Sequence, residues 1–186
     1  MHGAMVNASE GRNPRITRSR TMKALLAAAA LTAITFANPA QAASQADVEA
    51  LMKIVEATGT SVSLNTNHFD KSCLGRAAYY TYEEDVEDIL VVCTDQVDTN
   101  DPDAMWEAIA HEATHVAQAC QGGPAVADAY RPRMYRELQT MAPHYSKQVT
   151  QDYASDDQLV EVEAFWMELQ HPTFVMEFIV ASCTKN

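Results

Sequence analysis

The chain has 186 residues, with 13 lysine and arginine residues against 25 acidic ones, a formal charge of −12 at pH 7. This length favours a single domain. The 47% hydrophobic content excludes a wholly disordered chain. The acidic balance argues against nucleic acid as a partner, because neutralising phosphates requires an excess of basic side chains.

The first quarter of the sequence has the pattern of a secretory signal peptide. Met22-Lys23 precedes an apolar run over residues 24–36, and the small residues Ala40 and Ala42 follow. We therefore predict a signal peptide over residues 1–42, cleaved after Ala42, and we favour Met22 as the true translation start over an extended basic region at residues 1–21. A run of 13 apolar residues is shorter than the roughly 20 that span a bilayer. We expect no stable membrane span after cleavage, and export to the periplasm or the medium.

The chain after the leader, residues 43–186, is more acidic than the whole. Removing residues 1–42 takes away five basic residues and one acidic residue, which leaves 144 residues with a formal charge of −16. An exported chain meets an oxidising compartment, so two disulfides are expected. Three pairings are possible. We favour Cys73–Cys93, which would flank a hairpin, together with Cys120–Cys183, which would join two helices.

The elements expected in residues 43–186 are those of one α+β domain, mostly helical with a small antiparallel sheet or hairpin. Apolar spacing predicts a first helix over residues 46–58. The Tyr-rich segment 76–82 and the β-branched run 89–93 predict a hairpin.

The rest of the domain is expected to be helical. Asp101-Pro102 predicts a helix start, with Asp as the N-cap and Pro in the first position, and this helix is expected to run to about Cys120. No element is predicted in the polar stretch 143–157. Further helices are expected over residues 125–140, around an amphipathic segment 159–169 that His171-Pro172 ends, and over residues 173–182.

The segment His111-Glu112-Ala113-Thr114-His115 lies within the helix that begins at Asp101-Pro102. Residues four apart share one helical face, so the two imidazoles can bind one metal ion from adjacent turns. Glu112 is offset around the helix and is better placed to act as a general base on a water at the metal. This division of roles is the chemistry of the H-E-x-x-H pattern.

A catalytic zinc site needs a third protein ligand. A third histidine six residues beyond His115 would mark the metzincin class, but Gln121 occupies that position. The candidates are Glu161 and Glu163, in the segment Glu161-Val162-Glu163-Ala164 of a later helix. A helical wheel does not decide between them, because they lie on opposite flanks of its apolar stripe.

These two segments resemble the zincin metallopeptidases of the gluzincin type, in which a glutamate of a downstream helix completes the H-E-x-x-H site. In small peptidases of the ImmA/IrrE-like group the pattern implies Glu161 as the ligand, and in the larger thermolysin-like pattern it implies Glu163. We favour Glu161. Phe165 stands where these families usually carry an Asp or Asn that supports the site. The resemblance implies a zinc cofactor, peptide-bond hydrolysis and Glu112 as the base.

Two further features follow from the resemblance. Zincins often use a Tyr or His outside the motif to stabilise the oxyanion, and here His144 and Tyr145 are preferred. A substrate peptide often lies along an edge strand, a part that residues 89–93 could supply.

The sequence thus predicts an exported zinc metallopeptidase acting on a peptide or protein substrate. The main alternative is a non-catalytic binding protein on the same scaffold, and another is a hydrolase of a non-peptide amide, since zinc chemistry does not fix the substrate. The oligomeric state is left open.

Overall fold

The computed structural model of the chain describes residues 42–82 and 87–184, which belong to a unit spanning Asn38–Asn186. Most of the predicted leader, residues 1–41, lies outside the described residues, so the signal peptide stays a prediction. The predicted α+β class is confirmed, because the described part consists of six α-helices and a three-stranded sheet. The elements are α1 (Gln45–Ala57), β1 (Ser61–Asn65), β2 (Ala78–Thr81), β3 (Ile89–Cys93), α2 (Pro102–Gln121), α3 (Arg131–Met141), α4 (Pro143–Asp152), α5 (Gln158–Glu168) and α6 (Pro172–Cys183).

The sheet has the strand order β1-β3-β2. β2 and β3 pair antiparallel, which confirms the predicted hairpin, whereas β1 pairs parallel to β3 and was not predicted. β3 is therefore the central strand. The prediction that residues 89–93 form an edge for a substrate peptide is wrong, because both sides of that strand already bond to neighbours. The free edges within the described sheet belong to β1 and β2.

Helix α2 begins and ends as its sequence predicts. The Asp101 side chain accepts hydrogen bonds from the backbone N–H groups of Asp103 and Ala104, and Pro102 occupies the first turn. Gly122 ends the helix in the left-handed conformation, with φ 72°. α2 packs against α1, α5, α6 and β2, so it lies at the centre of the domain.

Helix α5 differs from its prediction, since its residues from Val162 to Glu168 are all buried rather than half of them. It packs against α2, α3 and α4. The polar stretch that was left without an element contains α4, which begins at Pro143 and buries Val149. Tyr145 of α4 stacks on Phe165 of α5 at a centroid distance of 4.5 Å. A few apolar contacts therefore suffice to hold a polar sequence as a helix against α5.

Helix α3 starts later than predicted. The sequence suggested a helix from residue 125, but a loop and a 3-10 turn over Asp128–Tyr130 come first, and the α-helix begins at Arg131. Pro132 explains this, because its missing N–H and its ring are tolerated only in the first turn of a helix.

Both predicted disulfides are confirmed. Cys73 pairs with Cys93, and Cys120 pairs with Cys183 across 63 positions of sequence, which ties the end of α2 to the end of α6. This pairing is typical of proteins that fold in an oxidising compartment. Among the described residues, no helix has the length and apolar character needed to cross a membrane.

Candidate metal centre

The packing of α2 against α5 brings three side chains together. His111 and His115 lie on adjacent turns of α2, with ring centroids 5.1 Å apart. Nε2 of His111 lies 3.4 Å from Oε2 of Glu161, and Nε2 of His115 lies 3.7 Å from Oε1 of the same residue. One ligand atom from each of the three falls within 4.8 Å of the others, so this group could hold a metal ion.

The three residues fit a divalent metal. Two ligands of one tetrahedral zinc ion, each about 2.0–2.1 Å from it, lie about 3.3 Å apart, which is close to the separations seen here. Oε2 of Glu161 is buried and accepts no hydrogen bond from the described residues. Leaving such an atom unpartnered is costly, and an ion on that oxygen would remove the cost. The side chains stay 13–19% exposed, so solvent and small molecules have access.

The other ring nitrogen of each histidine is held by a partner. Nδ1 of His111 lies 3.0 Å from Oε2 of Glu168, and Nδ1 of His115 lies 2.8 Å from Oε1 of Gln118. A carboxylate can only accept, so His111 donates from Nδ1. Nε2 of each ring is the nitrogen that faces Glu161. A partner on Nδ1 is the arrangement that orients histidine ligands in metal sites.

Glu163, the alternative third ligand, does not join this group. It is fully buried, and its Oε2 accepts from Ala125 N at 2.9 Å and from Gln118 Nε2 of α2 at 3.1 Å. Its Oε1 accepts from Val126 N at 3.3 Å. The Gln118 amide N–H₂ also donates to Val160 O at 2.9 Å, so its oxygen is the atom turned to His115. Glu163 thus supports His115 through Gln118.

Glu112 is buried beside the histidines, with 9% of its surface exposed. Burial raises its pKa, while the neighbouring charges of His111 and His115 work to lower it. The backbone N–H of Tyr80 in β2 also works to lower the pKa of this carboxylate. A carboxylate with a raised pKa is better matched to taking up a proton near neutral pH.

The carboxylates around His111 create a need for positive charge. Burial works to lower the pKa of His111, but the adjacent carboxylates of Glu161 and Glu168 outweigh it and raise that pKa to about 10. In the absence of an ion, a proton on His111 therefore supplies the positive charge. A metal cation bound at this place would likewise be stabilised by the negative charges of Glu161 and Glu168.

A family model described as a domain of unknown function (DUF8637) matches residues 41–184. The chain belongs to this family. No curated protein and no solved structure matches it.

Aromatic side chains form one wall of the site in this DUF8637 domain. Phe165 makes an edge contact with the His111 ring at 4.6 Å and is flanked by Tyr145 and Tyr153. Phe165 replaces the expected Asp or Asn, and Glu168, one turn later on α5, takes over the support of His111. The sequence reasoning missed Glu168, although its spacing of seven from Glu161 puts both acids on one helical face.

The candidate oxyanion-stabilising residues lie at different points of this wall. The phenol of Tyr145 interacts with Glu168, and burial raises its pKa. His144 contacts Tyr145 at a centroid distance of 4.1 Å and lies near Glu107. Tyr153, which the sequence reasoning missed, interacts with the ligand candidate Glu161, and burial raises its pKa as well. Tyr153 is therefore the tyrosine beside the metal-binding group, whereas the roles of His144 and Tyr145 stay predictions.

Proposed function

We propose that this protein is an exported zinc-dependent metallopeptidase. The observation that carries the proposal is that three ligand groups lie within 4.8 Å of one another, namely Nε2 of His111, Nε2 of His115 and the carboxylate of Glu161, whose Oε2 is buried without a hydrogen bond. Glu112 directly follows His111 in sequence and is buried. Two imidazoles, one carboxylate and a neighbouring glutamate make up the donor set of a hydrolytic zinc site.

Three protein ligands favour a catalytic ion over a structural one. Structural zinc is usually bound by four side chains, often with several cysteines, and here all four cysteines are paired in disulfides. When bound, zinc acts as a Lewis acid that lowers the pKa of a water molecule to about 7 and polarises a carbonyl group.

The residues of the chain supply the remaining steps. Glu112 is placed to accept a proton from the attacking water and to return it to the leaving amine, since its raised pKa makes the carboxylate a competent base. Glu168 and Gln118 hold the two imidazoles in the tautomer that points Nε2 at the ion. The phenol of Tyr153 can donate to a negatively charged carbonyl oxygen.

The position of β2 supports a peptide as the substrate. β2 is an edge strand in the described sheet and packs against α2, and the backbone of its Tyr80 contributes to the pKa of Glu112. An extended peptide that added to this edge would pass the proposed base, with main-chain hydrogen bonds holding it. A small non-peptide amide lacks the extended main chain that could pair with this edge strand.

The proposal is tested with the exported protein, loaded with zinc, on a mixed peptide library read by mass spectrometry. The wild type is expected to cleave, and Glu112→Gln is expected to retain one equivalent of zinc while losing at least about 1000-fold in rate, because a general base is removed. Glu56→Gln, at an exposed position of α1, serves as the matched control and keeps full activity. A protein that binds zinc but cleaves no peptide contradicts the peptidase and favours the binding protein.

A further inference from the structure

The first residue of the predicted mature chain is bonded to the helix that carries the histidines. The backbone nitrogen of Ala43 lies 2.8 Å from Oδ1 of Asp103, across 60 positions of sequence. Asp103 lies in the first turn of α2. Ala42 is exposed, whereas the Ala43 side chain is only 7% exposed and belongs to the main core. The predicted cleavage point thus coincides with the point where the chain passes from solvent into the domain.

The position of Ala43 is fixed on its other side as well. Ser44 is the N-cap of α1 and forms a capping box with Asp47, in which the Ser44 side chain accepts from Asp47 N and Asp47 accepts from Ser44 N. No residue is left between this cap and Ala43. The nitrogen of Ala43 is therefore presented to Asp103 by a rigid helix start and not by a loose tail.

We propose that removal of the leader after Ala42 creates an α-ammonium group on Ala43 that forms an ion pair with Asp103, and that this pair anchors the mature N-terminus to α2. The cleavage is an ordinary hydrolysis by a signal peptidase. Water adds across the Ala42–Ala43 peptide bond, Ala42 leaves as a carboxylate, and the freed amine of Ala43 takes up the proton. No other reactant is needed.

The charges around the nitrogen of Ala43 favour its ion pair with Asp103. Before cleavage, the nitrogen of Ala43 is an amide that offers Asp103 a single neutral donor. After cleavage it is a cation with three donors, and hydrogen bonds between two charged groups are about twice as strong as neutral ones. The N-terminus of α2 carries partial positive charge, which would repel an ammonium group. Asp101 at the N-cap and Asp103 in the first turn are negatively charged and outweigh that repulsion.

Two further observations agree with this assignment. The family match covers residues 41–184, so it begins two residues before Ala43. The Ala43 methyl group is buried in the core, so a small residue suits this position, whereas added methylene groups would overpack it. The inference needs no metal and stands apart from the proposed function.

The first test is the mass and N-terminal sequence of the protein exported from the full chain. The expected product begins at Ala43. Its α-amino group is expected to react with acetic anhydride at least about tenfold more slowly in the folded protein than in denaturant, because the ion pair and partial burial protect it. A product that begins at another residue, or an α-amino group that reacts equally in both states, overturns the proposal.

A double-mutant cycle then separates the ammonium from the amide. Inserting Gly-Ser between Ala42 and Ala43 of the full chain moves the ammonium group two residues upstream and leaves an amide on Ala43. We expect Asp103→Asn to lower the Tm by about 3–6 °C in the natural chain and by less than half of that with the insertion. Equal losses in both backgrounds contradict the ion pair. Since the labelling uses the wild type alone, the proposal stays falsifiable if a variant fails to fold.

Discussion

Glu168 lies 3.0 Å from Nδ1 of His111 and three residues beyond Phe165, the position where the resemblance to gluzincins predicted a supporting Asp or Asn. Its own backbone carbonyl accepts a hydrogen bond from Trp106 Nε1 of α2 at 3.1 Å, so the end of α5 is fixed against the helix that bears the histidines. The carboxylate is buried, with 4% of its side chain exposed. Glu168 therefore supports His111 from a position one helical turn beyond Phe165.

We predict that replacing Glu168 weakens zinc binding without abolishing it. Glu168→Gln keeps an acceptor for Nδ1–H but loses the charge, and Glu168→Ala loses both. Because partners of this kind typically change metal affinity by about 10–100-fold, we expect a graded loss in which Ala exceeds Gln. Competition with a chromogenic chelator measures both affinities. Wild-type affinity in both variants would contradict the role of Glu168.

We predict opposite outcomes for the two acids of α5 that the sequence could not separate. Glu161→Gln removes an anionic ligand and should cost at least about 100-fold in zinc affinity. Glu163→Gln should keep one equivalent of zinc and instead lose about 1–3 kcal/mol of unfolding free energy, because a buried charged acceptor of three N–H groups is weakened.

Zinc titration and chemical denaturation of the same two variants provide the check. The two substitutions are the same chemical change at positions two residues apart, so each is the control for the other. Loss of zinc from Glu163→Gln with retention by Glu161→Gln would reverse the assignment.

We predict that Tyr153 matters for turnover more than Tyr145 does. Tyr153 interacts with Glu161, whereas Tyr145 interacts with Glu168. Tyr153→Phe should bind zinc normally and lower kcat by about 100-fold, which is the usual cost of losing one donor to a developing oxyanion. Tyr145→Phe should change kcat by much less. Steady-state kinetics on one cleaved peptide separates the two variants. A larger loss of kcat for Tyr145→Phe would contradict this prediction and favour His144 and Tyr145, the oxyanion-stabilising residues that the sequence suggested.

We predict that the two disulfides contribute unequally to stability. Loop closure in the unfolded chain favours the longer loop, so removing Cys120–Cys183, with a sequence separation of 63, should cost about 4 kcal/mol. Removing Cys73–Cys93, with a separation of 20, should cost about 3 kcal/mol. Paired Cys→Ser variants unfolded in urea give both values. A larger loss for the shorter loop would show that strain or packing outweighs chain entropy.

Local signals in the sequence predicted much of this structure. Asp101-Pro102 and Gly122-Gly123 define the ends of α2, and the spacing of His111 and His115 puts two imidazoles on one face before any contact is known. The disulfide pairing followed from the order of the elements around the cysteines. These features depend on neighbours in sequence, and the sequence shows them directly.

The features that the sequence did not reveal depend on tertiary contacts. β1 exists because it pairs with β3 from 28 residues further along the chain, and its short polar sequence has little strand character alone. The choice between Glu161 and Glu163 depends on which residues of α2 each acid meets, the two histidines or Gln118. The nearly complete burial of α5 removes the polar face that would have helped to separate them. Glu168 was missed because a single supporting acid was sought at the position of Phe165.

The most direct test of the central claim is zinc K-edge X-ray absorption on the purified exported protein, together with its zinc content. We predict about one equivalent of zinc with two imidazole nitrogens and one carboxylate at about 2.0–2.2 Å, and loss of this signal in His111→Ala and His115→Ala. Less than about 0.1 equivalent after zinc-replete expression, or a spectrum unchanged by both substitutions, would contradict the metal site and the hydrolase with it.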